Sequence, residues 1–486
     1  VDLSAGSYGT ANASASLAGS RKKIDYRLQY AGVHSDGFSS AYDSTGKSAF
    51  ERDGYRQQAW TARLGYRLSP YWRAEVSGTY SRYHSDLDAA AFTDDKDYIS
   101  GDRNRQAGAA LSYRKGSFRL QADYQYNNLL RTYLNDSFDR SDPSFYYSRS
   151  RYAAQTHYAE VYAGWSSHRF DWLAGVDFRQ HSASLDYFSV SLYGPYESGL
   201  GDSLAHVSQI SPYASVAYKP NARMGIEAGG RWNHHSVYGS NATYTLNPYA
   251  WLLPNRVKAF VNLYSAYKTP TLYQLFDPYA GNRNLVPERS AVWEAGVQWL
   301  SGMHFQARAV YFHRRSTHTI EYIITDPNTY SAAYSNISRV MNEGLELELS
   351  EQIGRWQLAA QYCYTKGQTQ SPYDPSGNKL ARDTVYNSLY RVPEHAFQLS
   401  AGWRPGKSWY AGLLLRGVGK RLEPVYGATP ETLAGYVIID LQTTYRLDAH
   451  WKFFLSLQTL TNRRYFDYLG YNNRRFNGSG GLQYSF

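Results

Sequence analysis

Five aspartates lie close together in one polar segment early in the chain. They are Asp86, Asp88, Asp94, Asp95 and Asp97. Carboxylate oxygens at this density are the hard ligands that calcium prefers in proteins. A solvated acidic loop is the alternative interpretation, because no glycine fixes the ligand spacing as it does in an EF-hand. The segment is therefore a candidate calcium site, and the sequence indicates no other cofactor.

Residues for hydrolytic chemistry do not form a motif in this chain. There is no G-x-S-x-G segment, and the single cysteine, Cys363, can form neither an internal disulfide nor a metal-binding cysteine pair. A catalytic site assembled from different strands would leave no local pattern, so a barrel enzyme stays an alternative. Known barrel enzymes are much smaller, and we therefore expect the chain not to be an enzyme.

The composition indicates a surface where apolar groups meet water. The chain has 48 Tyr and 12 Trp against 3 Met, at a mean hydropathy of −0.58. Amphipathic rings of this kind collect at membrane interfaces. No run approaches the about 18 consecutive apolar residues that a membrane helix needs. If the protein spans a bilayer, a closed β-barrel is the structure that remains.

The period along the chain is that of barrel strands. In residues 222–233, Ile226 and Trp232 alternate with Arg223, Glu227 and Arg231. A charge on the lipid face near the midplane costs roughly 2–4 kcal/mol, so the charged set must face a watery interior. Similar alternation occupies residues 118–125, 344–350, 436–447 and 451–458.

Short turns alternate with long polar segments from end to end. Tight-turn signals fall near residues 20–21, 69–70, 115–116, 167–168, 220–221, 254–255, 301–302, 353–354, 405–406 and 448–449. Long polar segments occupy residues 36–53, 84–103, 135–150, 186–203, 270–287, 368–390 and 462–473. This asymmetry predicts an all-β fold, a transmembrane antiparallel β-barrel of about 22 strands formed by residues 1–486 as one domain.

One segment carries the marks of a known family. An aromatic-basic-x-proline box is followed by an asparagine-x-asparagine-leucine-x-proline-glutamate box, an E-x-G strand and an asparagine-glycine-glutamate strand start. The residues are Tyr267, Pro270, Leu272, Leu275, Asn282, Asn284, Leu285, Pro287, Glu288, Glu294, Gly296, Asn342, Gly344 and Glu346, with a terminal Phe486. The pattern resembles the TonB-dependent receptors of the Gram-negative outer membrane, and within them is most similar to the cobalamin receptors.

The resemblance implies an importer of a scarce nutrient, with a cobalamin or another corrinoid as the expected cargo. Its energy would come from the inner-membrane TonB complex through a plug domain, which is absent from this chain. Further expected partners are the barrel-assembly machinery, which would read the C-terminal strand, lipopolysaccharide and a surface lipoprotein. Cobalamin receptors also use calcium-ordered acidic loops, in agreement with the aspartate segment.

Substrate contacts are expected from aromatic and amide groups at the outer end of the barrel. Tyr83 and Tyr264 face inward by the period of two, and four further candidates lie in the family segment. Those four are Phe276, Tyr279, Asn282 and Asn284. Each also has a structural interpretation, because aromatic residues form the interface belt of such barrels.

Other functions of the same architecture stay open. A siderophore receptor would share the motif, and a haem receptor would need a histidine, which residues 271–281 lack, leaving His313 and His318. His234 and His235 are neighbours in a strand and point to opposite faces, so they cannot chelate one ion together. A passive porin is the rival outside the family.

The net charge of +10 is not that of a nucleic-acid binder, because the basic residues are dispersed rather than gathered into a stripe. A lumen that attracts anions, or a rim that meets lipopolysaccharide phosphates, explains the charge better. We therefore expect no nucleic-acid partner.

Overall fold

The chain folds almost entirely into long antiparallel strands. A computed structural model describes residues 1–136, 145–302, 304–326, 331–374, 378–425 and 429–486. Of the predicted loops, residues 137–144 and 375–377 lie outside this part. The strands are β1 (Asp2–Gly6), β2 (Thr10–Arg21), β3 (Ile24–Phe38), β4 (Asp53–Arg67), β5 (Trp72–Asp86), β6 (Tyr98–Lys115), β7 (Phe118–Asn135), β8 (Phe145–Ser166), β9 (Phe170–Ser191), β10 (Gly194–Leu200), β11 (His206–Asn221), β12 (Met224–His235), β13 (Gly239–Leu253), β14 (Val257–Lys268), β15 (Glu288–Ser301), β16 (Phe305–Asp326), β17 (Ser331–Ile353), β18 (Trp356–Tyr373), β19 (Lys379–Tyr386), β20 (His395–Trp403), β21 (Trp409–Val418), β22 (Arg421–Glu423), β23 (Glu431–Leu433), β24 (Tyr436–Arg446), β25 (Trp451–Gln458) and β26 (Asn477–Tyr484).

The sheet closes on itself. β1 pairs with β2 on one side and with β26 on the other, where Leu3 lies opposite Leu482. β10 pairs antiparallel beside the end of β9, and β19 pairs in the same way beside the end of β18. β22 and β23 form a separate two-stranded ribbon. The wall is therefore a closed antiparallel barrel of 22 strands, which confirms the predicted fold. Closure gives each of the 22 described wall strands a hydrogen-bonded neighbour on both sides.

The two ends of the barrel differ as the turn signals predict. The connection from β2 to β3 spans two residues and that from β24 to β25 spans four, whereas residues 39–52 and 459–476 form long connections at the opposite end. The predicted segments 84–103 and 186–203 are shorter as loops, because β6 starts at Tyr98 and β10 pairs back on β9. The strands thus continue beyond the bilayer, where neighbouring strands still satisfy their backbone groups.

The two faces of the wall have opposite chemistry. On β12, Trp232 is 58% exposed on the outer face, whereas Arg231 points inward and forms an ion pair with the fully buried Asp177. Glu227 also lies on the inner face, but Arg223 lies in the turn before β12 rather than in the strand. The apolar outer face fits lipid and the charged inner face fits an aqueous lumen.

Helical structure is minimal. The helix α1 (Leu272–Phe276) lies in the connection between β14 and β15. Among the described residues, none of the helical structure is long and apolar enough to cross a membrane.

Candidate functional site

The connection between β14 and β15 is an ordered segment with a capped helix and buried leucines. Thr271 caps α1: its hydroxyl accepts a hydrogen bond from the backbone of Gln274, whose side chain accepts one from the backbone of Thr271. Leu275 and Leu285 are 5% and 2% exposed, so both apolar anchors of the motif are inside the folded loop. The motif leucines therefore hold this segment together.

Amide side chains fasten this loop to β17. The Asn282 side-chain amide donates to the Tyr334 carbonyl at 2.8 Å, and the Asn282 Oδ1 accepts from the Asn284 backbone at 2.9 Å. Asn336 accepts from the Val286 backbone at 2.9 Å and donates back to the Val286 carbonyl at 2.9 Å. These bonds fix the loop against the barrel wall.

The strand parts of the motif have a packing explanation. A side chain at Gly296 would meet the ring of Phe260, and one at Gly344 would meet the ring of Phe312 and the carbonyl of Tyr364. Each glycine leaves room for an inward-facing aromatic ring on the neighbouring strand. Within the same face, Glu294 accepts hydrogen bonds from other side chains of the wall.

Those bonds to Glu294 come from β14. Asn262 and Tyr264 each donate at 2.9 Å, one to each carboxylate oxygen. Asn342 and Glu346 lie on the same inner face of β17. At the outer end of β14, Lys268 forms an ion pair with Glu288 at 3.2 Å, and the same carboxylate caps the backbone of Ile320 at 3.0 Å.

Tyrosines surround the connection between β14 and β15, residues 269–287, which we call the signature loop. They lie at the outer mouth of the lumen. Tyr273 of α1 lies 6.0 Å from Tyr152 and 6.1 Å from Tyr334, ring centre to ring centre. Tyr279 meets Tyr187 edge to face at 5.6 Å. Burial raises the pKa of Tyr273 and of Tyr279 above its ordinary value, so both phenols stay protonated hydrogen-bond donors.

The six predicted substrate residues fall in three places. Tyr83 lies on β5 beside Tyr55 with ring centres 6.4 Å apart, and Tyr264 is bonded to Glu294 on the inner wall. The other four are in the signature loop, where Phe276 lies under the Arg283 guanidinium at 5.1 Å and Tyr279 is 60% exposed. Asn284 is exposed, whereas the Asn282 side chain is used within the loop. Whether any of them contacts a substrate stays a prediction.

Four tyrosines at the mouth of the lumen are not among the substrate contacts that the sequence predicts. They are Tyr152, Tyr187, Tyr273 and Tyr334. For Tyr152 and Tyr187 the period of two at the outer ends of β8 and β9 carried the necessary signal, because both lie on the same face as the lumen residues of these strands. Tyr273 is fixed by α1, and a five-residue helix has too weak a local pattern to find.

A second site of interest lies where two outer loops meet. Carboxylate oxygens of Glu51, Asp53 and Asp88 all lie within 4.8 Å of one another. Buried oxygens of Glu51, Asp53 and Asp94 have no hydrogen-bond partner among the described residues. Orphaned carboxylate oxygens that converge in this way fit a hard cation such as calcium.

Two carboxyls of this site have raised pKa values; we call Glu51, Asp53 and Asp88, with the adjacent Asp94, the loop cluster. Burial, together with the neighbouring carboxyl of Asp53, raises the pKa of Asp88 to about 8. Burial and then the neighbouring carboxyl of Asp94 raise the pKa of Glu51 to about 7. Crowded carboxyls of this kind share protons unless a positive ion takes their place.

The five aspartates of the predicted calcium site separate in the fold. Asp88 is one of the three converging carboxylates and Asp94 lies beside Glu51, whereas Asp86 accepts from the backbone of Gly54 at 3.1 Å. Asp95 accepts from the side chain of Asn135 at 2.8 Å, and Asp97 lies outside the cluster. Glu51 and Asp53 come from another loop, and a segment-by-segment sequence analysis cannot find such a pairing.

Comparison with known proteins agrees with the geometry. A family model described as TonB dependent receptor-like, beta-barrel, matches residues 3–462. The vitamin B12 transporter BtuB of Vibrio cholerae is 23% identical over 265 residues, which cover 51% of this chain and 37% of that protein. The ferric enterobactin receptor of Pseudomonas aeruginosa is 25% identical over 282 residues, which cover 50% of this chain and 36% of that protein. The chain thus spans well under two thirds of the length of these curated relatives.

Solved structures share the fold at lower identity. The copper transporter OprC superimposes with a TM-score of 0.82 at 16% identity, covering 100% of this chain and 79% of that one. The ferric enterobactin receptor PfeA from Pseudomonas aeruginosa, in a mutant form, gives 0.76 at 17% identity, with 100% and 80% covered.

Proposed function

Because this chain belongs to the β-barrel family of TonB-dependent receptors and lies in the outer membrane of a Gram-negative bacterium, we propose that it is the wall of an active importer. The cargo is a nutrient too large or too scarce to enter by diffusion. A domain outside these 486 residues fills the lumen and couples release of the cargo to the inner-membrane TonB complex. The chain itself performs no chemistry on the cargo.

The proposed cargo is a corrinoid. The support is the signature segment from Tyr267 to Gly296, which resembles that of cobalamin receptors, together with the half-chain similarity to a vitamin B12 transporter. The observation that carries the proposal is the tyrosine-lined mouth around a rigid signature loop, because large planar ligands stack on aromatic rings and accept phenolic hydrogen bonds. A ferric siderophore is the second candidate, favoured by the similarity to the enterobactin receptor.

Haem and passive diffusion have less support. His313 lies on the outer face, where it stacks on Trp293 with ring centres 5.9 Å apart, so it points away from the lumen. His318 is the other histidine that the sequence analysis considers for haem. Its backbone carbonyl accepts a hydrogen bond from the Asn336 side chain at 2.6 Å. Against a passive pore stands the match of the chain to the TonB-dependent receptor family model.

A binding titration distinguishes the cargo candidates. The complete gene product, purified from outer membranes, is titrated with cyanocobalamin, with ferric enterobactin and with haem. We expect saturable binding of cyanocobalamin at or below micromolar concentration, weakened by Tyr279→Ala and little changed by Tyr193→Ala, an exposed tyrosine beyond the end of β9. Tight binding of the siderophore with no binding of the corrinoid would overturn the cargo.

We also propose that calcium orders the loops joined by Glu51, Asp53, Asp88 and Asp94. The fit rests on the converging carboxylates of Glu51, Asp53 and Asp88. It also rests on one oxygen each of Glu51, Asp53 and Asp94 that has no hydrogen-bond partner among the described residues. The bound ion would tie residues 39–52 to residues 87–97. Calcium should slow proteolysis of these loops in the wild type and leave Asp88→Asn unprotected. Equal protease resistance with calcium and with a chelator would exclude the site.

We propose two further partners, which the family resemblance suggests. The C-terminal strand presents Leu482 and Tyr484 on the outer face, and Phe486 is 87% exposed, as a recognition signal for the barrel-assembly machinery requires. A surface lipoprotein over the outer loops belongs to the same proposal.

A further inference from the structure

Four arginines stand on the outer wall, one level with an aromatic pair and three just beyond it. Trp60 and Tyr80 lie opposite each other on β4 and β5, stack at 5.7 Å, and are 41% and 36% exposed. These rings mark the outer water interface of the lipid face. Residues that are paired across strands, or that lie two apart along one strand, share a face of the sheet. The other outward-facing residues can therefore be identified from Trp60 and Tyr80 toward the outer end of the barrel.

That face carries charge where the lipid headgroups begin. Tyr80 pairs with Arg105, and two residues further along the strands Arg82 pairs with Arg103. Arg56 lies four residues beyond Trp60 on the same face of β4 and pairs with His84. At a rise of about 3.3 Å per residue, Arg82 and Arg103 start roughly 7 Å and Arg56 roughly 13 Å along the strand past the aromatic pair. Arg105 is level with Tyr80.

No described carboxylate neutralises these four arginines. All are exposed, and none forms an ion pair with a described residue; Arg82 donates through its Nε to the Gln58 side chain at 3.0 Å. Arg82 and Arg103 are direct cross-strand neighbours, an arrangement in which like charges destabilise a sheet. Such a pair is favourable when an anion lies between the two guanidinium groups.

The inner wall of neighbouring strands is built differently. Arg73 pairs with Asp25 at 2.5 Å, and Arg131 pairs with Asp102 at 2.6 Å. These two lumen arginines are thus neutralised by carboxylates of the wall, whereas the four outer arginines are not paired with a described carboxylate. Arg149 and Arg151 continue the outer face further from the membrane and border the same groove, together with Asp186 and Glu197.

We propose that this surface binds the phosphate groups of lipid A in the outer leaflet. We call it the outer-wall arginine groove and define it by Arg56, Arg82 and Arg103, which line the groove, and by the neighbouring Arg105. Guanidinium groups match phosphate with two parallel hydrogen bonds, and the low-dielectric headgroup region strengthens the pairing. Trp60 and Tyr80 then lie against the sugar and acyl chains below the phosphates. The proposal rests on the outer-membrane location and is independent of the cargo.

The test is lipopolysaccharide retention. The protein is extracted from outer membranes in detergent without any cargo, washed, and the lipid A that remains bound is quantified. Replacing all four arginines by glutamine should lower retained lipid A by roughly tenfold or more. A matched control replaces Arg169, Arg223, Arg256 and Arg355, four exposed arginines of the opposite turns, and should retain lipid A like the wild type.

Rebinding of defined lipids tests whether the phosphates of lipid A are what the arginines bind. Delipidated protein is given bisphosphorylated lipid A, fully dephosphorylated lipid A, or phosphatidylglycerol, and only the first should rebind tightly. The double variant Arg82→Gln with Arg103→Gln serves if the fourfold variant fails to assemble, and it should still lose several-fold. Retention equal in variant and wild type, equal rebinding of dephosphorylated lipid A, or equal rebinding of phosphatidylglycerol would overturn the proposal.

Discussion

Leu285 is the most deeply buried side chain of the loop between β14 and β15. At 2% exposure it packs where the loop folds back after the Asn282 turn. Leu285→Ala should destabilise the folded loop by roughly 2–5 kcal/mol, the usual cost of such a truncation. Limited proteolysis of outer-membrane vesicles should then cut residues 270–287 much faster in the variant than in the wild type.

The barrel itself is the control for this change. Heating should convert the folded gel band to the unfolded one at the same temperature in both proteins, because the strand pairing is untouched. Val286→Ala, at an exposed neighbouring position, should leave the cutting rate nearly unchanged. Equal cleavage of Leu285→Ala and wild type would show that Leu285 does not anchor the loop.

Acidity should control the loop cluster through Asp88 and Glu51. Their pKa values are raised to about 8 and about 7, so the cation-free cluster holds protons near neutral pH. Folding of the cation-free loops is therefore most favourable at acidic pH and weakens as the pH rises from the ordinary carboxyl range toward 8. Calcium must displace these protons, so its affinity should rise with pH.

Calorimetric titration with calcium between pH 6 and pH 8.5 checks this. Each proton displaced strengthens the apparent affinity by up to about tenfold per pH unit. Asp88→Asn should remove most of the binding and of its pH dependence. An affinity that stays constant over the whole range would contradict the assignment of the two carboxyls.

At this scale the sequence predicted residue types better than partners. The sequence predicts an acidic segment suited to calcium around Asp88 and Asp94, but Glu51 and Asp53 reach it from the end of another loop and the start of β4. Likewise the motif predicts Asn282 as a substrate contact, whereas in the fold its side-chain amide donates to the Tyr334 carbonyl. Local sequence contains neither contact, because both join segments far apart in the chain.

The strand is the scale at which the sequence was most informative. The period of two fixes which face of each strand meets lipid, so alternation at Ile226 and Trp232 was enough to orient β12. Strand ends were less predictable, as β6 and β10 show, because pairing with a neighbour extends a strand through polar residues.

The same alternation predicts opposite results for adjacent substitutions on β4. Ala62 lies on the lipid face between Trp60 and Leu64, and Thr61 faces the lumen. Ala62→Arg should cost roughly 2–4 kcal/mol near the midplane, while Thr61→Arg should cost little because its charge stays in water. The temperature at which the folded gel band disappears should fall for the first variant only.

A reversed order, or an equal loss in both variants, would mean that the two faces are wrongly assigned. Thr61→Val adds an apolar group to the lumen side and should leave the transition close to that of the wild type.

For the whole molecule, a wall of 22 strands encloses a lumen wide enough to need filling. We expect the 486-residue barrel alone to conduct ions as a wide pore in planar bilayers. The complete gene product should be nearly closed if the proposed further domain fills the lumen. Steady conductance of the complete product at the level of the barrel alone would favour a passive porin.

Energised uptake is the most direct test of active import. Labelled cyanocobalamin is supplied to cells of the source bacterium that carry or lack this gene, with and without an uncoupler of the inner-membrane proton gradient. The account predicts saturable uptake that depends on the gene, stops when the gradient collapses and requires the TonB complex. Uptake that rises linearly with concentration and continues in uncoupled cells would contradict it.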